Sequence, residues 1–296
     1  MIRLKTDRSQ MEQDFQTAVI QRQYDDLIAR HYDLDPQNIT NRSLDRALEQ
    51  LRDHGRLKFN PGLPPIEVLD LGMGTGLFLE KLRAATFGSA ECWGIDLSQN
   101  MADIAQSKIH GLEVQVDDAA NFDRHFPGQS FDLICTHFIT GFVPIQHLAP
   151  LIHKRLKPGG CWSFVGSSKL AYPTLRRKAE SPVVRMLSGG GKLSSDNMLC
   201  PHNENSLRET LTAAEFEILV TDTFEPELRF RHFDDFMEYA YTGGWLTPFI
   251  EEMGLERAGR ATRALLNTIV FPVKDHHSIL LGVARKPAWK LSEKGG

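Results

Sequence analysis

Apolar side chains along the chain keep two rhythms, and the change from one to the other divides it. From about Gln10 to Leu34 they recur at helical intervals, at Phe15, Val19, Tyr24, Leu27 and Ile28. Pro36 ends that stretch. Thr40 or Asn41 then caps a helix from about Ser43 to Asp53, and Gly55 stops it. Pro61, Gly62, Pro64 and Pro65 mark a linker, beyond which strand, turn and helix alternate. The expected strands are Ile66–Leu71, Cys92–Asp96, Leu112–Val116, Phe131–Cys135 and Cys161–Val165. The expected helices are Leu77–Ala85, Gln99–Lys108 and His147–Leu156, with Lys157–Gly160 as a turn. Strands alternating with helices of this length make βαβ units and a parallel sheet. Ligands of such sheets sit at the carboxyl ends of the strands.

The rhythm breaks between Ser167 and about Asn203, where Pro173, Pro182, Pro201 and Gly189-Gly190-Gly191 punctuate a stretch with little periodicity. A helix resumes near Asn205 to Ala214. Phe216–Val220 and Ser278–Val283 read as a sixth and a seventh strand, with the aromatic segment Phe230 to Phe249 between them. The expected fold class is α/β, a doubly wound sheet of seven strands. Residues 1–60 form an N-terminal helical cap. Residues 61–166, 204–225 and 276–287 form the core, and 167–203 and 226–275 are inserted lid or substrate-binding segments.

Composition narrows the function classes. Of 296 residues, 41% are hydrophobic and 24% charged, which suits a globular chain rather than a disordered one. The formal net charge of -4 offers no basic stripe for a nucleic-acid backbone. No apolar run reaches the length of a membrane span, and the N-terminus lacks the apolar stretch of a signal peptide. Cys92, Cys135, Cys161 and Cys200 make no C-x-x-C pair, so zinc is not expected, and the first three lie in apolar runs suited to a reducing compartment. The expectation is a cytoplasmic protein with no metal.

The strongest chemical signal is Asp70-Leu71-Gly72-Met73-Gly74-Thr75-Gly76, which closes a strand and opens a helix. Glycines there let the backbone turn tightly and approach a ligand. A dinucleotide fingerprint needs G-x-G-x-x-G, and its third glycine would fall at Leu77 or Leu79; the spacing here is G-x-G-x-G. Asp96 follows Gly76 by 20 residues, the interval at which an acidic side chain reaches both hydroxyls of a ribose. It also stands where a helix cap would, but Ser98 can fill that role. Asp117-Asp118-Ala119-Ala120 follows the third strand, and Leu156-Lys157-Pro158-Gly159-Gly160 precedes the fifth.

From about Glu67 to Val165 these features resemble the class I S-adenosylmethionine-dependent methyltransferases. The resemblance implies an antiparallel last strand and S-adenosylmethionine as cofactor. It implies that Gly72, Gly74 and Gly76 line the methionine part, that Asp70 supports the loop, and that Asp96 takes the ribose. It places Asp118, or else Asp117, at the adenine amino group, with Ala119 against the ring, and puts Leu97 and Thr136 with the cofactor. Tyr24 and Tyr32 lie on a helix that covers the cofactor in many relatives; contact with it and ordinary packing are both open. The Asn/Asp-Pro-Pro-aromatic signature of methyltransferases acting on nucleic-acid bases is replaced by Thr136-His137-Phe138-Ile139.

The expected reaction is methyl transfer to an O, N or C nucleophile of a small organic molecule, such as a natural-product or other secondary-metabolite intermediate. The alternatives are a non-catalytic module that binds S-adenosylmethionine and a nicotinamide-dependent dehydrogenase. His137, after the fourth strand, is the candidate general base, or else a residue packed under the cap. Phe236, Tyr239 and Trp245 are candidate substrate contacts, or else the packing of an inserted helix. Arg176-Arg177-Lys178 with Arg185 reads first as a solvated face and second as a site for a carboxylate or phosphate. The adjacent pair His276-His277 points to opposite faces of a strand and makes no metal site.

Overall fold

The computed structural model describes residues 20–55, 62, 64–187, 199–244, 246, 250 and 254–288. Phe15, Val19, Pro61, Gly189-Gly190-Gly191, Trp245 and Phe249 lie outside them, as does the side chain of Arg185. Residues 20–23 are helical and continue into a wide π turn at Tyr24–Ile28 and a 3-10 turn at Tyr32–Leu34. Helix α1 spans Ile39–Asp53. It starts four residues before the expected Ser43, and its cap is neither Thr40 nor Asn41. Asp35 does that work: its carboxylate accepts from Ile39 N and Asn41 N, each at 2.8 Å, and so satisfies two of the free amides at the helix start.

The alternating segment follows as expected, with shifted ends. It comprises β1 (Ile66–Leu71), α2 (Leu77–Ala85), β2 (Ala90–Asp96), α3 (Gln99–Lys108), β3 (Glu113–Val116), β4 (Phe131–His137), α4 (Ile145–Arg155) and β5 (Leu156–Ser167). The expected turn at Lys157–Gly160 survives as an irregularity within β5. Phe131 pairs with Leu156 and Leu133 with Cys161, so residues 157–160 leave the ladder. Two short helices follow, α5 (Pro173–Ala179) and α6 (Pro182–Leu187), then α7 (Glu204–Ala213) and β6 (Glu217–Phe224). The second insertion is an antiparallel ribbon, β7 (Glu227–Phe230) with β8 (Val273–His276). Between its strands lie α8 (Phe233–Gly243) and α9 (Arg260–Ile269). The chain closes on β9 (Ile279–Arg285). His276 therefore belongs to the ribbon rather than to the core sheet.

The sheet runs β3-β2-β1-β4-β5-β9-β6. β9 is antiparallel to both its neighbours and the other pairs are parallel, which is the seven-stranded, doubly wound arrangement expected. Strand alternation sends Val68, Leu133 and Cys135 to one face, under Leu51 of α1 and Leu79 and Leu82 of α2. It sends Leu69, Ile134 and Trp162 to the other, under Ile152 of α4 and Leu207 of α7. Among the described residues no helix is long and apolar enough to cross a membrane, and the four cysteines are buried and unbridged.

Arg155, buried at the end of α4, ties the loop before β4. Its guanidinium donates to the carbonyls of Asp123, His125, Phe126 and Gln129 at 2.7–3.2 Å. Exchange of Arg155 for Met keeps the bulk and leaves these carbonyls unmatched. We expect a loss of about 3 kcal/mol in urea unfolding. A loss under about 1 kcal/mol would mean that the loop holds without the arginine.

Candidate active site

The site is assembled at the carboxyl ends of β1, β2 and β4. Gly72, Gly74 and Gly76 all have positive φ, at 70°, 55° and 77°. They need glycine for different reasons. A Cβ on Gly72 would lie 2.0 Å from Ile139 Cγ2, and one on Gly76 would lie 2.8 Å from Ile109 Cδ1. Those two are held by the protein's own packing. A Cβ on Gly74 would meet only Tyr32, at 3.8 Å, so the space over Gly74 belongs to the cleft.

Asp96 binds the loop to the end of β2. Its Oδ2 accepts from Gly74 N at 2.8 Å and its Oδ1 from Ser98 N at 2.9 Å. Ser98 caps α3 by accepting from Met101 N at 3.1 Å, so Asp96 is spared that task. A carboxylate oxygen has two lone pairs, which leaves each oxygen of Asp96 one more acceptor position. Burial pushes its pKa up to about 6, with the backbone donors of Ser98 and Gly74 opposing. Asp70, two positions before Gly72, is more deeply enclosed. Burial, and then the charge of Asp96, raise its pKa well above the usual carboxylate range, and its Oδ1 has no hydrogen-bond partner. No loop amide reaches Asp70; the loop's side-chain anchor is Asp96.

The cleft is lined by Gly72, Gly74, Asp96, Leu97, Asp118 and Ala119. Asp118 rather than Asp117 faces it, capping the 3-10 turn Ala119–Arg124 through Ala120 N at 2.8 Å. Asp117 is taken by His125 at 2.6 Å and Asn121 at 3.1 Å. Ile20, Gln21, Tyr24 and Tyr32 cover the opening, so Tyr32 joins Tyr24 in the wall. Polar contacts pin this cover at both ends. Gln21 donates to Leu97 O, and Asp25 Oδ1 accepts from Ser98 Oγ at 2.5 Å and Asn100 N at 3.2 Å. Asp33 accepts from Thr75 Oγ1 at 2.6 Å and from Lys108 Nζ at 2.5 Å. The far wall is Phe138, Ile139, Phe142 and Val143, after β4.

His137 lies in this wall, with one ring nitrogen engaged and the other, Nδ1, buried and without a hydrogen-bond partner. Nε2 is 3.0 Å from Ser163 Oγ, and the ring packs edge-on against Phe78, centroids 4.2 Å apart. Burial lowers its pKa to about 3. The candidate base is thus a buried ring whose charged form burial disfavours. Asp70, Cys135 and His137 converge, with one donor atom of each within 4.8 Å of the others, all buried. Burial also holds the Cys135 thiol protonated. Thr136 points to the opposite face of β4 and accepts from Trp162 Nε1 at 2.8 Å, away from the cleft. Gly76 and Asp70 stand behind the lining residues. Phe236 packs against Phe230 and Phe271, and Tyr239 against Tyr172 and Phe230, outside the lining. Trp245 lies outside the described residues. Met101, Phe142, Val143, Ile20 and Gln21 carried no signal in the sequence that set them apart from core residues.

The donor set fits the cofactor that the resemblance implied. Asp96 has room for two hydroxyls, Asp118 and Ala119 stand one strand over for a base, and the orphaned Asp70 oxygen suits a cation. The family model described as a methyltransferase domain matches residues 68–160. That segment carries the glycine turn, Asp96 and Asp118, so the match falls on the residues that build the cleft. The YcgJ protein of Bacillus subtilis resembles this chain at 16% identity and a TM-score of 0.52, over 83% of this chain and 99% of that one. A putative methyltransferase from Bacillus halodurans C-125 does so at 17% identity and a TM-score of 0.51, over 82% and 98%. These likenesses are of fold. No curated protein matches the chain.

Two expectations follow. Hydroxyl groups bind the ionised form of Asp96, so cofactor affinity should be level above about pH 6 and fall toward tenfold per unit below it. Asp96→Asn should weaken binding and flatten that dependence in a calorimetric pH series. An unchanged slope would place the titrating group elsewhere. Among glycine variants, Gly72→Ala and Gly76→Ala should lose stability first, through the contacts above. Gly74→Ala should lose cofactor affinity out of proportion to its melting temperature. Equal ratios in all three would remove the distinction.

Proposed function

We propose that the protein moves the methyl group of S-adenosylmethionine to an oxygen, nitrogen or carbon nucleophile of a small organic molecule. Natural-product and other secondary-metabolite intermediates are the substrate class we favour. The observation that carries this reading is the placement of two enclosed aspartates at the glycine turn: Asp96 lines the cleft and holds Gly74 N and Ser98 N, and Asp70 stands behind the turn with an unpartnered Oδ1. Such a site suits a ligand that brings hydroxyl donors and a positive charge together. A nicotinamide dinucleotide would bring an anionic pyrophosphate to the same turn. When bound, S-adenosylmethionine supplies a methyl group already activated by a sulfonium charge.

The chain's part is then alignment and the exclusion of water. Asp96 orients the ribose, Asp118 and Ala119 hold the base, and Tyr24 and Tyr32 close the outer side. The narrow cover and the net charge of -4 favour a small acceptor over a nucleic acid. His137 contributes as a neutral group in the wall. On this reading His137→Gln lowers turnover by less than about tenfold and leaves the acidic limb of the pH–rate profile in place. A loss of about 100-fold with that limb abolished would make His137 the base after all.

The decisive measurements are equilibrium binding of S-adenosylmethionine against nicotinamide nucleotides, and transfer of a labelled methyl group into a metabolite extract. Preference for S-adenosylmethionine with a labelled product supports the proposal. Tight binding with no transfer to any component would leave a non-catalytic cofactor-binding module.

A further inference from the structure

Behind the glycine turn, β1 and β4 bring together three side chains that no interval along the sequence connects. Asp70 is the register partner of Cys135 across the two strands. Cys135 and His137 share a face of β4, because alternate residues of a strand point the same way. All three are buried, at 2%, 0% and 7% exposure. One donor atom of each lies within 4.8 Å of the other two. Two of the groups also lack what buried polar atoms normally have: Asp70 Oδ1 and His137 Nδ1 make no hydrogen bond.

A carboxylate, an imidazole and a thiol are the ligand types of zinc, and the thiol is the soft member that calcium and magnesium sites do not use. The imidazole is already held as a metal ligand would be. Its Nε2 lies 3.0 Å from Ser163 Oγ, and a ring that donates its Nε2 proton there leaves the lone pair of Nδ1 for an ion. A divalent ion with one carboxylate, one thiolate and one neutral imidazole sums to no net charge, which suits it to this depth. His137 and Gly72 line the cleft, so an ion has a path to the three groups.

We propose that Asp70, Cys135 and His137 bind a zinc ion, and that this ion and S-adenosylmethionine exclude one another. The exclusion rests on the methyltransferase reading above, in which the unpartnered Asp70 oxygen answers the positive charge of the cofactor. Zinc takes that oxygen. Its three bonds, of about 2.0–2.3 Å, form as small rotations draw the side chains together. The thiol proton and any proton on the carboxyl pass to solvent, and a water fills the fourth position. No electron changes hands. The site is a point of inhibition by free zinc rather than the seat of a resident catalytic metal.

The test uses the full chain, stripped of metal by a chelator, with cobalt(II) as the spectroscopic stand-in for zinc. Cobalt should bind and produce a thiolate-to-metal charge-transfer band, and added zinc should bleach it by displacement. Cys135→Ser should lose the band, whereas Cys200→Ser, altered in the first insertion, should keep it. In calorimetry, a slight excess of zinc should weaken S-adenosylmethionine at least tenfold in the parent and less than about twofold in Cys135→Ser. No band in the parent, a band that survives in Cys135→Ser, or equal cofactor affinity with and without zinc in the parent would overturn the proposal alone. The first and third of these outcomes need no variant, so they decide even where Cys135→Ser fails to fold. Failure of S-adenosylmethionine to bind the metal-free parent would overturn the methyltransferase reading and the exclusion with it.

Discussion

The site depends on one carboxylate that answers to two strands. Asp96 holds the Gly74 amide, which belongs to the turn after β1, and the Ser98 amide, which opens the helix after β2. Without it the glycine turn would keep the Gly72 and Met73 amides, both bonded to Ile95 O, and the Thr75 hydroxyl on Asp33. The same two bonds explain how a charge survives at that depth, since each amide offsets part of the burial that raises its pKa. The offset is incomplete. Because its pKa stands above the unfolded value, ionised Asp96 costs stability, in full above about pH 6 and less as the pH falls below it. A ligand donating to the remaining lone pairs recovers part of that free energy as affinity.

Acidic side chains recur around this centre. Asp25, Asp33, Asp70, Asp96 and Asp118 stand in or beside the cleft, and among the described residues only Asp33 has a cation, Lys108, against it. Asp25 and Asp33 act as clamps, fastening the turns at Tyr24–Ile28 and Tyr32–Leu34 to the two helices that follow β1 and β2. The cover is thus attached through polar contacts at its ends. Between them Tyr24 and Tyr32 face the cavity, where burial raises the pKa of both phenols.

What the sequence disclosed, and what it hid, divides by the range of the interactions. The glycine turn, Asp96, Asp118 and Ala119 are set by short intervals along βα units, and those intervals were readable. The seven-strand sheet was readable for the same reason. Strand ends moved by a few residues because pairing, not composition, decides them, as in β6 and β9. The assignment of Thr136 missed a rule the sequence already contained: residues 136 and 137 of a strand face opposite sides, and only one can reach the cleft. Asp35 was overlooked as a cap because it acts across the turn before α1 rather than next to its first residue. The clamps Asp25 and Asp33 join positions 73 and 42 residues apart, and no local pattern announces them. Phe236 and Tyr239 show the limit of an aromatic stripe, whose helical spacing suits a hydrophobic interior and a binding pocket equally.

The clamped cover also sets a schedule. A ligand seated under Tyr24 and Tyr32 cannot enter or leave while Asp25 and Asp33 hold, so each round of use requires those contacts to part and re-form. Opening of this kind takes microseconds to milliseconds, a range that overlaps or outlasts many chemical steps. The pace of that opening then sets how long a ligand stays beneath the cover. Salt that screens the exposed Lys108–Asp33 contact shortens that residence.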